Sequence, residues 1–213
     1  VSGSAFALKR GRFQTTKEIL MTSQRKKRVI VGVSGASGMP LALRLLRELR
    51  DAPGVETHLI VSPGAARLLE EECDRGVEAL AALADRSHDA LDMAAGPASG
   101  SWRHDGMIVC PCSMSSLASI ASGAGMNLLH RAADVTLKER RPLLLVPRET
   151  PLNLLHLENM RRLALAGATI MPFMPAFYAR PRGIEDMLAH FCGRLLDQLG
   201  LETGMTRRWR DDQ

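Results

Sequence analysis

The chain has 213 residues, of which 46% are hydrophobic, 24% charged and only 4% aromatic. That balance supports one domain with a buried core and excludes a disordered tail protein, a collagen-like repeat or a disulfide scaffold. No apolar run approaches the ~20 residues that span a bilayer, and a single tyrosine, Tyr178, argues against a base-stacking nucleic-acid platform.

The net charge of +5 is local, because residues 1–28 hold eight basic side chains against Glu18 alone and the remainder is slightly acidic. Residues 1–27 are therefore read as a basic arm outside the domain. Such arms bind phosphate backbones or anionic lipid, but a solvated tail is the simpler expectation. The chain opens on Val1 without an apolar signal-peptide core, and Met21 is the expected native start, with residues 1–20 upstream of it. With no leader, a cytoplasmic location and reduced thiols follow for Cys73, Cys110, Cys112 and Cys192.

The elements then alternate. Val29–Val33 is a β-branched run that ends in Ser34-Gly35-Ala36-Ser37-Gly38. Pro40–Arg50 carries leucines at 41, 45, 46 and 49, a helical stripe. Val55–Ser62 alternates as a strand, and Ser62-Pro63 opens a helix with a cap residue and a proline at its first position. Met107–Pro111 is a strand, followed by a helix of small residues over Ser113–Ser122. Leu128–Arg140 is helical, Leu143–Val146 a buried strand and Asn153–Ala166 a helix. Ala168–Met171 is a short strand, and Ile184–Leu199 an amphipathic helix. Pro97–Trp102 and Pro172–Gly183 are the long irregular stretches. Strands alternating with helices at this spacing predict a three-layer α/β/α sandwich around a doubly wound parallel sheet, in one domain. Residues 202–213 are read as a C-terminal tail.

Ligands of such sheets bind beyond the carboxyl ends of the strands. Those ends carry Ser34–Gly38, Ser62, Cys112-Ser113-Met114-Ser115-Ser116, Pro147-Arg148-Glu149-Thr150 and a proline-rich loop reaching Tyr178. Hydroxyls at a helix start suit a phosphate, although a glycine-rich first turn also serves as a plain tight bend. Gly32-x-x-Gly35-x-x-Gly38 is not the dinucleotide fingerprint, and the second strand ends in Ser62 instead of the acid that holds an adenosine ribose. Arg131 and Lys138 share one helical face, and Arg194 borders the stripe of the last helix; each also reads as a solvated surface cation. Glu70-Glu71-Glu72 reads as solvent-facing helix. No histidine pair has metal spacing, no G-x-S-x-G elbow starts a hydrolase triad, and no aspartate pair within the domain offers a magnesium clamp.

Taken together, Gly-Ala-Ser-Gly at 35–38, Pro-Ala-Ser-Gly-Ser at 97–101 and Cys-Pro-Cys-Ser-Met-Ser at 110–115 resemble one family. The blocks at 131–143, 147–152 and 175–178 extend the likeness. The chain resembles UbiX-type flavin prenyltransferases from about Val29 to Leu201. The resemblance implies a Rossmann-like, flavodoxin-like domain over 28–201 that binds FMN without a metal. It implies transfer of the dimethylallyl group of dimethylallyl phosphate to reduced FMN, with a fourth ring joining N5 and C6. It further implies a homododecamer with sites between subunits, and a UbiD-type decarboxylase as the user of the product, in ubiquinone biosynthesis or in aromatic-acid metabolism.

Carried over residue by residue, Gly35, Ala36, Ser37, Ser62, Ser113, Met114, Ser115, Ser116 and Arg148 match the FMN site. Arg131, Lys138, Tyr178 and Arg194 match the grip on the prenyl phosphate. Glu149 matches the acid placed to protonate or hydrogen-bond that phosphate, and Ser37 and Glu72 match further groups near the reacting atoms. Met93 stands where some members carry a tryptophan in the prenyl-pocket wall. The competing readings are a flavin-dependent cysteine decarboxylase and a non-catalytic flavin carrier. The decarboxylases use a catalytic histidine and an asparagine-bearing loop where this chain has Ala98-Ser99-Gly100-Ser101.

Overall fold

In β1 (Lys27–Val33), Val29, Val31 and Val33 join one apolar core while Ile30 joins another, as the two-residue pleat requires. The same alternation recurs in β4 (Gly106–Cys112), where Ile108 and Cys110 face the first core and Met107 and Val109 the second. In β5 (Leu143–Pro147) it splits Leu144 and Val146 from Leu143 and Leu145. Strands buried on both faces need a helical layer on each side. The computed structural model describes residues 25–202 and 204 and has that arrangement. Most of the expected arm and tail lie outside the described residues. β1 itself begins at Lys27, whose ammonium group donates to the carbonyls of Leu199 and Gly200.

The other strands are β2 (Val55–Val61), β3 (Arg86–His88) and β6 (Thr169–Ile170), and all six pair in parallel in the order β3-β2-β1-β4-β5-β6. The order reverses between β1 and β4, which opens a crevice at their carboxyl ends. The helices are α1 (Met39–Asp51), α2 (Pro63–Cys73), α3 (Glu78–Ala81), α4 (Met114–Ser122), α5 (Leu128–Lys138), α6 (Leu154–Leu165) and α7 (Ile184–Gln198). Their buried side chains put α1, α2, α3 and α7 on one face of the sheet and α4, α5 and α6 on the other.

The predicted helical stripe of α1 is real: Leu41, Leu45, Leu46 and Leu49 are all buried, each worth about 1.5–3 kcal/mol of transfer free energy. Its start needs Gly38, whose φ of 125° is open only to glycine. Asn153 caps α6 through the N–H of His156 in a reciprocal capping box. β3 and α3 were not expected from the sequence. Arg86–His88 is a three-residue edge strand with two exposed positions, and α3 spans one turn, so neither carries a readable period. No helix among the described residues is long and apolar enough to cross a membrane.

Candidate active site

The crevice between β1 and β4 is tied together by hydroxyls. Ser34, fully buried, donates to the Pro111 carbonyl at 3.1 Å and accepts the Ser113 N–H at 2.7 Å. Ser113 caps α4 by accepting the Ser116 N–H at 3.2 Å. The helix therefore begins inside the crevice, and offers the N–H groups of Met114 and Ser115 no acceptor of its own. Ser115 is exposed, whereas Ser116 is buried with its hydroxyl 3.2 Å from His130 Nε2. Ser116 is thus engaged inside the fold, and Ser115 faces outward.

The turn after β1 lies against the start of α2. A Cβ on Gly35 would stand 3.1 Å from the Gly64 carbonyl carbon, so the two backbones meet where only glycine fits without displacement. Ala36 and Ser62 are buried beneath this contact, and the Ser62 N–H donates to Val33. An anion with a flat, mainly apolar body suits such a place, which has unpaired helix-start N–H groups, clustered hydroxyls and backbone without side chains in the way.

Glu72 turns inward from α2, unlike its exposed neighbours Glu70 and Glu71. Its Oε2 accepts the N–H groups of Gly38 and Met39, each at 2.9 Å, and so caps α1 from a neighbouring helix. Partial burial works against the charge. The N–H of Gly38, the Ser37 hydroxyl, the N–H of Met39 and the nearby Arg148 together outweigh it and hold the carboxyl below its ordinary range. Arg148 Nε donates to the Ser37 carbonyl at 3.3 Å. Ser37, Glu72 and Arg148 edge a cavity of about 230 Å³ whose other walls include Leu41, Pro111, Val146, Phe173 and Leu188. Glu149 sits beside Arg148 in the exposed loop after β5, where its Oε1 accepts the Thr150 N–H at 3.0 Å.

The four candidate phosphate-gripping residues do not converge within one chain. Arg131 and Lys138 lie two turns apart on α5 and both line the loop at 97–101. Arg131 Nε donates to the Ala98 carbonyl at 3.2 Å, and a Cβ on Gly100 would stand 2.6 Å from Lys138 Nζ. Tyr178 and Arg194 belong to the opposite face of the sheet. Tyr178 lies in a 3-10 turn, its hydroxyl 3.4 Å from His190 Nε2 of α7. Arg194 projects from α7, whose apolar residues pack into the α1 core. Each cation has a carboxylate from its own helix or the cap of that helix: Arg131–Asp134 at 2.6 Å, Lys138–Glu139 at 2.5 Å and Arg194–Asp197 at 3.2 Å.

The sequence places Ser34 at the carboxyl end of β1 but assigns no site role to it, to Gly64 or to His190. Ser34 was visible as the first hydroxyl after β1, and Gly64 as a glycine in the first turn of α2. His190 was hidden as one residue among the buried ones of α7. Among the described residues no three His, Cys, Asp or Glu side chains are grouped to hold a metal ion.

Residues 18–195 match the Flavoprotein family model. A probable UbiX-like flavin prenyltransferase of Escherichia coli O157:H7 is 51% identical over 183 residues, covering 86% of this chain and 93% of that one. The crystal structure of AnUbiX (PadA1) in complex with FMN and dimethylallyl pyrophosphate is 48% identical with a TM-score of 0.85, over 87% of this chain and 98% of its own. A dodecameric FMN-dependent Ubix-like decarboxylase from Escherichia coli O157:H7 is 51% identical with a TM-score of 0.84, over 86% and 99% of the two chains. The cypemycin decarboxylase CypD, at 21% identity and a TM-score of 0.55 over 68% of this chain and 82% of its own, shares the fold alone.

Proposed function

Because the chain belongs to the UbiX-like flavin prenyltransferases, a family of flavoproteins, we propose that it joins the dimethylallyl group of dimethylallyl phosphate to reduced FMN at N5 and C6. The observation that carries this reading is the crevice at the β1–β4 reversal. There a helix start with hydroxyls for a phosphate adjoins an apolar cavity edged by Ser37, Glu72 and Arg148. Its likeness to a relative crystallised with FMN and a prenyl ester supports the same assignment.

The bound flavin, when reduced, supplies the nucleophilic nitrogen and ring carbon. The protein's part is to hold, neutralise and dry. The N–H groups of Met114 and Ser115 with the hydroxyl of Ser115 take the flavin phosphate, and Gly35, Ala36 and Ser62 give the backbone surface beside its body. Arg148 and the Ser37–Glu72 pair hold the ring edge. Arg131, Lys138, Tyr178 and Arg194 neutralise the ester phosphate, which leaves poorly as a monoester unless its charge is met. Glu149 delivers the proton to the departing phosphate. The apolar wall of Leu41, Val146, Phe173 and Leu188 keeps water from the allylic carbon, where it would otherwise give dimethylallyl alcohol.

Since the two cation sets flank opposite faces of one sheet, the phosphate grip is completed by a second copy, whose α5 and 97–101 loop face the first copy's crevice. Exposed Met93 then becomes an apolar wall of the neighbour's pocket. The assembly we propose is a dodecamer. Leu154, Leu155 and Leu165, each more than 70% exposed along α6, are apolar surface for it to cover. The product serves a UbiD-type decarboxylase in the cytoplasm, in quinone biosynthesis or aromatic-acid metabolism. Under anaerobic conditions, reduced FMN and dimethylallyl phosphate should give phosphate release in step with a changed flavin absorbance. A reaction that releases no phosphate contradicts the proposal.

A further inference from the structure

Arg141 lies just past α5, after Arg140 in the left-handed region at φ 54°, and its N–H closes the helix on the Thr136 carbonyl at 2.9 Å. Its side chain is only 17% exposed and lines no part of the crevice cavity. Nη2 donates to the Gly100 carbonyl at 2.9 Å, and Nη1 to the Trp102 carbonyl at 3.1 Å and to His104 Nδ1 at 2.8 Å. One guanidinium thus fastens three alternate residues of the segment leading into β4.

Because Arg141 can only donate, His104 Nδ1 must accept, and the imidazole proton sits on Nε2. Nε2–H then donates to Thr136 Oγ1 at 2.9 Å, and the threonine hydroxyl donates to the Ala132 carbonyl at 2.6 Å. Every bond in this chain has one donor and one acceptor, and the chain ends back on α5. Burial, reinforced by the Arg141 charge, pushes His104 down to about 4, so the imidazole stays neutral and the arrangement survives ordinary acidity. The Trp102 ring wedges the far side, edge-on to His58 with centroids 4.8 Å apart and beneath Arg28 at 5.2 Å.

The segment held this way is the one that Arg131 binds at Ala98 and that packs Gly100 against Lys138. Between those points Ser99 and Ser101 share a hydrogen bond at 2.9 Å. Two cations, each beside its own carboxylate (Asp134 and Glu139), and two hydroxyls therefore form one surface whose spacing depends on where the 98–102 backbone lies.

We propose that Arg141 is a positioning residue for the prenyl phosphate: through Gly100, Trp102 and His104 it fixes Ser99 and Ser101 at a set distance from Arg131 and Lys138. This rests on the prenyltransferase reading. The guanidinium is needed for its planar fork, since an ammonium group cannot reach three acceptors in one plane.

The test compares the full-length assembly with its Arg141→Lys and Thr136→Val forms. Three quantities are measured: KM for dimethylallyl phosphate, Kd for FMN, and the His104 titration by imidazole NMR. Arg141→Lys should raise KM about tenfold while FMN affinity stays within about twofold, the loss of roughly one good hydrogen bond at one substrate only. Thr136→Val, which keeps the charge and the shape, should raise KM in the same direction by less and leave His104 without its acceptor. The imidazole titration should move accordingly in both forms. An unchanged KM in both variants overturns the inference. So does a fall in FMN affinity that parallels the rise in KM, because that marks general loosening. If the unsubstituted protein forms no prenylated flavin, the prenyltransferase reading itself fails, and the inference about the prenyl phosphate falls with it.

Discussion

Replacing Glu72 by glutamine tests whether this carboxylate builds the crevice. In the structure it accepts two α1 N–H groups at 2.9 Å each and a hydroxyl from Ser37. Hydrogen bonds to a charged partner contribute about 1.5–3 kcal/mol. Partial exposure reduces this, and the amide oxygen of glutamine can stand where Oε2 stands and still accept both N–H groups, so what is lost is the charge that strengthens these bonds, a net of about 1–2 kcal/mol. The carboxylate's interaction with the α1 dipole, about 0.3–1 kcal/mol, is lost within that figure. With a urea slope of about 2 kcal/mol/M, the midpoint should fall by about 0.5–1 M with the slope unchanged. The melts must be run at one protein concentration, since assembly makes stability concentration-dependent. The sign with pH follows from the folded carboxyl lying below its ordinary value. Its contribution is fully present above the unfolded pKa of about 4.3 and is lost as pH falls through the folded value. The gap between Glu72→Gln and the unsubstituted chain should therefore close on acidification. Coincident melts at neutral pH, or a gap that persists below both values, would mean that the Glu72 charge does not hold the start of α1.

Ser113→Ala removes the α4 cap and should cost about 1 kcal/mol, a drop of about 3 °C in calorimetric Tm, together with weaker FMN binding. Equal FMN affinity would detach α4 from the flavin phosphate. Arg131→Ala and Arg194→Ala should each lower kcat/KM by about 10²-fold. Mixed assemblies of the two should recover about a quarter of the activity, because sites between copies then pair intact faces; additive residual rates would mean that each site is built from one chain. Leu155→Asp on the exposed face of α6 should yield smaller species by light scattering with the helix content intact. An unchanged mass would place the interface elsewhere.

The sheet was legible because both of its signals are strong. Buried strands such as Leu143–Pro147 are unbroken apolar runs, and α1 shows its leucines at helical spacing. Boundaries moved by a residue or two where caps decide them. Asn153 and Ser113 turned out to be cap residues outside their helices, and Leu128–Arg140 stops at Lys138 because Arg140 turns left-handed. Motif likeness picked out Gly35, Ser37, Arg148 and the α5 cations. It left unseen which of them meet, since that depends on the face of the sheet each helix covers. Glu72 illustrates the limit: likeness singled it out of a run of three glutamates, but its bonds to the start of α1 come only from the packing of α2 against α1. The Arg141–His104–Thr136 chain was illegible for a similar reason, as its members lie up to 37 residues apart and carry no common pattern.

The activity proposed for this chain is the attachment of an isoprenoid to its flavin. Mass spectrometry of the flavin extracted after anaerobic turnover with dimethylallyl phosphate tests it directly. The recovered FMN should be heavier by one five-carbon unit, formed only when the flavin is reduced beforehand. FMN recovered at its original mass, from protein shown to bind both ligands, would contradict it.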